Sequence, residues 1–202
     1  MDRLAAWVAF IARWMALAGG FVLVVLTVLT VVSISGRAIL TMANLHDPQS
    51  WLTAFYAVLR AIGGFFNGLG ARPIPGDYEL VEAGTAFAIF AFLPWCHLNR
   101  GHAAVDVLAS WFPGLMNRVI DVIANLLMLA VALLIAWRHW LGTLDKISYG
   151  ETTFILQFPV WWGYAAGMVG AVVFIVVAAF CLARSIADFA SGHRAERSGA
   201  AP

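Results

Sequence analysis

The chain has 202 residues, 62% of them hydrophobic and only 11% charged, with a mean hydropathy of +0.86. That much apolar surface exceeds what one soluble core can bury, so lipid must be the main solvent. A formal net charge of +1 lacks the basic face that nucleic-acid binding requires. The two cysteines, Cys96 and Cys181, sit in apolar stretches, which argues against a secreted disulfide framework and for small packing residues.

The first apolar run, residues 14–35, holds 22 residues without a charge. At about 1.5 Å per residue it crosses a hydrocarbon core of roughly 30 Å, and the predicted span is 14–36. Arg3 and Arg13 before it and Ser33-Ile34-Ser35 at its end also suggest a signal peptide, but the run is longer than the usual signal core of about 7 to 15 residues. A long insert, 37–76, follows. Within it Ser50 can cap a helix over about 50–63, in which Trp51, Phe55, Val58, Leu59, Ile62 and Phe66 recur at helical spacing. This predicts a helix lying on the membrane. Reading it as a span would bury Arg60 at about 2.5 to 3.5 kcal/mol on an insertion scale, and Gly63-Gly64 is expected to break it.

Two shorter runs follow, 83–98 and 122–137, of 16 residues each. Each makes about 24 Å of helix, so their flanking charged residues must lie within the helices and reach toward the headgroups. The predicted spans are therefore 78–99 and 118–141. Glu82 and Asp121 then fall near helix N-termini, where a carboxylate meets the positive end of the dipole. The last run, 152–183, is uncharged and holds Pro159, giving a span over 159–183 with Trp161, Trp162 and Tyr164 at its interface. The fold class is an all-α integral membrane protein, one membrane domain of four transmembrane helices plus short amphipathic interfacial helices.

The stretch NRGHAAVDVL, 99–108, places Arg100, His102 and Asp106 close together in the turn between spans two and three. Residues 103–112 read as a surface helix, with Val105, Leu108 and Phe112 on one face, Asp106 and Ser110 on another, and Pro113-Gly114 ending it. Arg100 can reach lipid phosphates or pair with Asp106. Basic residues set the orientation weakly: Arg3, Arg13, Arg100, Arg118, Arg184, Arg194 and Arg197 lie on one side against Arg37, Arg60, Arg72, Arg138 and Lys146 on the other. The long insert carries three of the latter and counts for less, so both termini are expected in the cytoplasm.

Metal, haem and nucleophilic chemistry compete with this structural reading. Cys96, His97, His102 and Asp106 are zinc-ligand types, but Cys96 and His97 diverge by about 100° on a helix. A haem would need two histidines at one depth, whereas His97 and His139 are expected at opposite ends of their spans. No Ser or Cys has an evident His and acid partner nearby in sequence. These readings assign no catalytic, cofactor or metal residue to the chain.

Four pieces occur in order: SISGRAIL closing the first span, PIPGDYELVEAGTAF opening the second, FAFLPWCHLNRGHAAVDVL across its end, and GETTFILQFPVWWGY leading into the fourth. Together they resemble the small permease subunit, of the four-span Q type, of tripartite ATP-independent periplasmic (TRAP) transporters. The connection after Arg37 is longer than in many members. The resemblance implies a bacterial inner-membrane protein that accompanies a large membrane subunit. That large subunit is expected to move an organic anion, a carboxylate delivered by a periplasmic substrate-binding protein, with sodium ions bound at the large subunit and no cofactor on this chain. The small subunit would act as a scaffold, stabilising the large one and helping to dock the binding protein. This agrees with the absence from the sequence of the broken, Gly-rich half-helices that form transport sites.

Several residues carry alternative roles. Asp77, Glu79 and Glu82 either meet basic groups of a partner or stabilise a helix N-terminus. Arg100, Gly101, His102 and Asp106 either orient the surface helix for assembly, with Gly101 permitting the turn, or form an ordinary interfacial turn. Asn117, Asp121 and Asn125 fall at i, i+4 and i+8, a polar stripe that should face another helix within this chain or in the large subunit. Gly150, Glu151 and Thr152 make a turn suited to docking or to capping. Rival functions are the membrane anchor of a haem-containing or respiratory oxidoreductase, and a self-sufficient channel or exporter.

Overall fold

In the computed structural model, residues 2–43, 53–68, 73–99 and 114–191 are described. They form five helices: α1 Asp2–Ala43, α2 Thr53–Gly68, α3 Asp77–Leu98, α4 Gly114–Tyr149 and α5 Trp161–Ser191. Four of these, all but α2, are long and apolar enough to cross a membrane. No strand occurs among the described residues, only an isolated bridge between Thr152 and Pro159. The fold class is the one read from composition.

The helices are longer than the uncharged runs that mark them. With 42 residues, α1 is about 63 Å long, and α4, with 36, is about 54 Å. Each exceeds a hydrocarbon core of about 30 Å. A charge stops a run of apolar residues but does not stop a helix, because Arg and Lys are good helix formers, so Arg13, Arg37, Arg118, Arg138 and Lys146 are all helical. The start of the insert, through Ala43, is thus a continuation of α1. Helix α2 runs on to Gly68, past the Gly63-Gly64 pair expected to end it. Gly63 is buried and α2 packs on α1, so contact offsets the weak propensity of glycine. Phe55, Val58, Ile62 and Phe66 remain exposed. Ser50, Trp51, the turn 100–113 and the predicted helix 103–112 lie outside the described residues.

The spans stand in a row rather than a closed bundle. Helix α3 packs on α1 and on α5, α5 packs on α4 and more lightly on α1, and α2 covers α1. The buried face of α1 repeats every seven residues, at Ala12, Gly19, Leu26 and Ser33. Gly19 lies against Ala88 and Ala91 of α3, and Leu26 against Gly84, so the two helices run antiparallel. A seven-residue period on a 3.6-residue helix keeps contact only through a left-handed wrap. Because most residues around α1 are apolar, hydrophobicity does not pick out this face; smallness does.

On its other side α3 runs parallel to α5. Pro94 is fully buried inside α3, and lacking an N–H it cannot donate to the carbonyl of Phe90 four residues earlier. A Cβ on Gly170 of α5 would lie 2.8 Å from that carbonyl oxygen and 2.7 Å from its carbon. Only a glycine's hydrogens fit there. Farther along, Ala132 of α4 and Phe174 and Ala178 of α5 form a buried cluster, joined by Leu93, Met128, Leu129 and Ile175. The polar stripe on α4 meets this helix too: the Asn125 side-chain amide donates to Ser185 Oγ on α5 at 2.8 Å and to its own helix at the Asp121 carbonyl, also at 2.8 Å. Neither Cys96 nor Cys181 is in a disulfide.

Gly170→Leu should lower the thermal unfolding midpoint in detergent, by an amount corresponding to about 1 to 3 kcal/mol of overpacking. Gly20→Leu is the control, because a Cβ there meets nothing within 4 Å. Equal midpoints for the two variants would refute the close contact.

Candidate functional site

The structure concentrates its polar interactions where α3 begins. Gly76 precedes the helix with φ of 74°, a left-handed conformation that suits glycine, and its carbonyl accepts the Glu79 and Leu80 N–H groups at 3.1 and 3.3 Å. The next residue, Asp77, is 7% exposed and accepts from the Arg37 guanidinium of α1, which also donates to Ser33 Oγ at 3.3 Å. This ties the end of the α1 span to the start of the α3 span.

Glu79 holds a different segment. Its carboxylate, 5% exposed, accepts the backbone N–H of Ile155 at 2.6 Å and of Leu156 at 2.9 Å, one on each oxygen. Residues 150–160 between α4 and α5 form a small hairpin. Thr153 N–H donates to the Phe158 carbonyl at 2.9 Å and Val160 N–H to the Glu151 carbonyl at 3.0 Å. Gly150, at φ 62°, ends α4, and Glu151 pairs with Lys146 one turn back at 2.5 Å. Leu156 covers Gly76 so closely that a Cβ there would meet its Cγ at 2.5 Å. At the tip Phe154 is 85% exposed.

Between the hairpin, α3, α4 and α5 opens a cleft of about 460 Å³, lined among others by Tyr78, Glu79, Glu82, Phe154, Phe158 and Tyr164. It ends where His139 of α4 meets Phe90 of α3, ring centroids 4.9 Å apart, above Gly167 of α5. His139 stacks on Tyr164 and its Nε2 lies 2.8 Å from the Tyr164 carbonyl, which can only accept, so Nε2 carries the proton. His97 is buried elsewhere, edge-on to Phe174. On α3 the two imidazoles are placed by residues 90 and 97, about 10 Å apart along the axis. No three His, Cys, Asp or Glu side chains among the described residues are grouped to hold a metal ion.

The residues singled out in sequence therefore separate. Asp77 and Glu79 have partners inside the chain, Glu82 faces the cleft, Asn125 reaches α5, and Glu151 closes the hairpin. Asn117 and Asp121 are half-buried on α4. Arg100, Gly101, His102 and Asp106 lie outside the described residues. Sequence reasoning missed Ser33, Arg37, Ser185 and the hairpin amides of Ile155 and Leu156. Only Arg37, just beyond an uncharged run, carried a local signal.

Four helices long and apolar enough to cross a membrane define the class as a multi-pass membrane protein. Over residues 58–188 the sequence matches the family model described as tripartite ATP-independent periplasmic transporters, DctQ component, and the chain belongs to that family, a family of transporter components and not of enzymes. No match was found among curated proteins or solved structures.

Glu79→Ala should release the hairpin. Hydrogen exchange at the Ile155 and Leu156 amides should accelerate by about tenfold or more, as for loss of a charged acceptor, with the α4 amides unchanged. Equal protection in the variant would show that Glu79 does not hold the segment.

Proposed function

We propose that the chain is the scaffold subunit of a sodium-coupled importer of an organic anion. It stabilises the large membrane subunit and helps present a surface to the loaded periplasmic binding protein. The observation that carries this reading, beside the family match, is the open row of spans. Only 11% of the residues in the most apolar stretch of α1, and 11% in that of α4, are buried within the chain. A row of helices has two broad apolar faces for a neighbour or for lipid, and no enclosed path of its own.

Sodium ions and substrate are taken to bind the large subunit, and no cofactor is assigned to this chain. Its place is the inner membrane with both termini in the cytoplasm. The helix directions put the start of α1 and the end of α5 at the same end of the row, and the basic residues favour that end as cytoplasmic. The start of α3 and the hairpin then face the periplasm, where Phe154, Tyr149 and Trp162 are exposed. Arg100, Gly101, His102 and Asp106 are proposed to anchor the cytoplasmic turn.

An affinity-tagged copy of this chain, expressed with the large subunit and binding protein, should retain the large subunit after purification. Uptake into proteoliposomes should need all three proteins and a sodium gradient. Uptake by this chain alone would overturn the scaffold role, and a haem absorption band in the purified chain would turn the assignment toward an oxidoreductase anchor. Arg100→Ala with Asp106→Ala should reduce the amount of large subunit recovered; unchanged recovery would remove the anchoring role from that turn.

A further inference from the structure

The cleft beside the hairpin contains a charge that no described residue balances. Of the three acids at the start of α3, Asp77 is taken by Arg37 and Glu79 by two backbone amides. Glu82 makes no hydrogen bond or ion pair among the described residues, yet it is exposed on the cleft wall. Tyr78 stands one turn before it on the same side of α3, and Phe154, Phe158 and Tyr164 supply further aromatic walls. An aromatic face attracts a cation, and a nearby carboxylate adds to that attraction. At about 460 Å³ the space is in the range of sites that enclose a ligand or a long side chain.

Depth selects the partner. The cleft extends along α3 to Ala86, nine residues or about 13 Å from the start of a 22-residue helix whose length nearly matches the hydrocarbon core. That is nearly half of a hydrocarbon core of about 30 Å. A soluble protein arriving from the aqueous side meets the hairpin first, whereas a helix within the bilayer can approach this depth from the side. An ionisable residue within a span generally pairs with a partner or lines a site.

We infer that this cleft is a socket for one basic side chain, an arginine or lysine, carried by a membrane helix of the large subunit, with Glu82 as its counter-ion. The inference rests on the scaffold role proposed above. The chain's own two staples hold the walls: Arg37–Asp77 fixes where α3 starts, and Glu79 fixes the hairpin that bears Phe154 and Phe158.

The test uses the whole complex. With a photoreactive benzoylphenylalanine at Phe158, irradiation of membranes holding all three proteins should give an adduct with the large subunit, mapped to a segment containing Arg or Lys. Glu82→Lys should lower recovery of the large subunit by about tenfold, as reversal of one member of a desolvated charge pair does, and Glu82→Gln should lower it less. Changing the mapped basic residue to Glu should restore recovery with Glu82→Lys. Both variants should keep the unfolding midpoint of the isolated chain, which separates loss of pairing from misfolding. Unchanged recovery in both Glu82 variants, a shared fall in midpoint, or an adduct confined to lipid, the binding protein or a second copy of this chain would overturn the socket while leaving the partnership intact. Failure of the unsubstituted chain to retain any large subunit would overturn both.

Discussion

The fold depends on one backbone contact. Pro94 leaves the Phe90 carbonyl of α3 without its helical N–H donor, and Gly170 of α5 lies where no Cβ fits beside that carbonyl. Lipid supplies no hydrophobic drive to hold apolar helices together, so close approach of small residues and the polar contacts it allows must do so. A glycine Cα–H group against a carbonyl is one such contact, weak singly but repeated at helix interfaces. With α5 held there, α4 packs along α5 and the hairpin between them is brought to Glu79. On the opposite side of α3, Ala88 and Ala91 admit Gly19, and the Ser33–Arg37–Asp77 group closes the seam. The two sides use different devices: a proline and a glycine toward α5, small residues at seven-residue spacing toward α1.

Much of this architecture was legible in the sequence because bilayer thickness sets a length scale. Four uncharged runs, read against about 30 Å of hydrocarbon, locate four spans whatever their neighbours are. The same runs misjudge helix length, since Arg13 and Arg37 interrupt hydrophobicity but not backbone hydrogen bonding. Pairings at long range left no mark: Arg37 and Asp77 are 40 positions apart, and Glu79 and Ile155 are 76 apart. Nor did the buried side of α1, where Ala12, Gly19 and Ser33 differ from the exposed Phe10, Trp14 and Phe21 in size more than in polarity. The polar stripe on α4 was readable because Asn125 in an apolar span must find a partner, but the choice of Ser185 was not.

The acidic start of α3 shows how local reading limits a functional assignment. Three carboxylates within six residues suggest one common purpose, either dipole stabilisation or binding. In the folded chain each has a different surrounding. Asp77 links two spans, Glu79 substitutes for missing backbone acceptors of a hairpin, and Glu82 stands in an aromatic cleft. An acid that is buried and bound to backbone amides inside the chain is closed to a partner from outside, so burial and hydrogen bonding separate scaffold from interface more sharply than charge does.

The row of spans also bears on biosynthesis. When α3 enters the bilayer, α1 is already there to receive it. Helix α4 arrives next, and its principal neighbour, α5, has not yet been made. Until then Asn125 lacks Ser185, and His139 lacks the Tyr164 carbonyl. The third span must therefore wait in lipid, or against the insertion machinery, without these two contacts. Translation of α5 closes the hairpin and docks the pair onto Phe90 together, which makes the fourth span the step that commits the chain to its final arrangement.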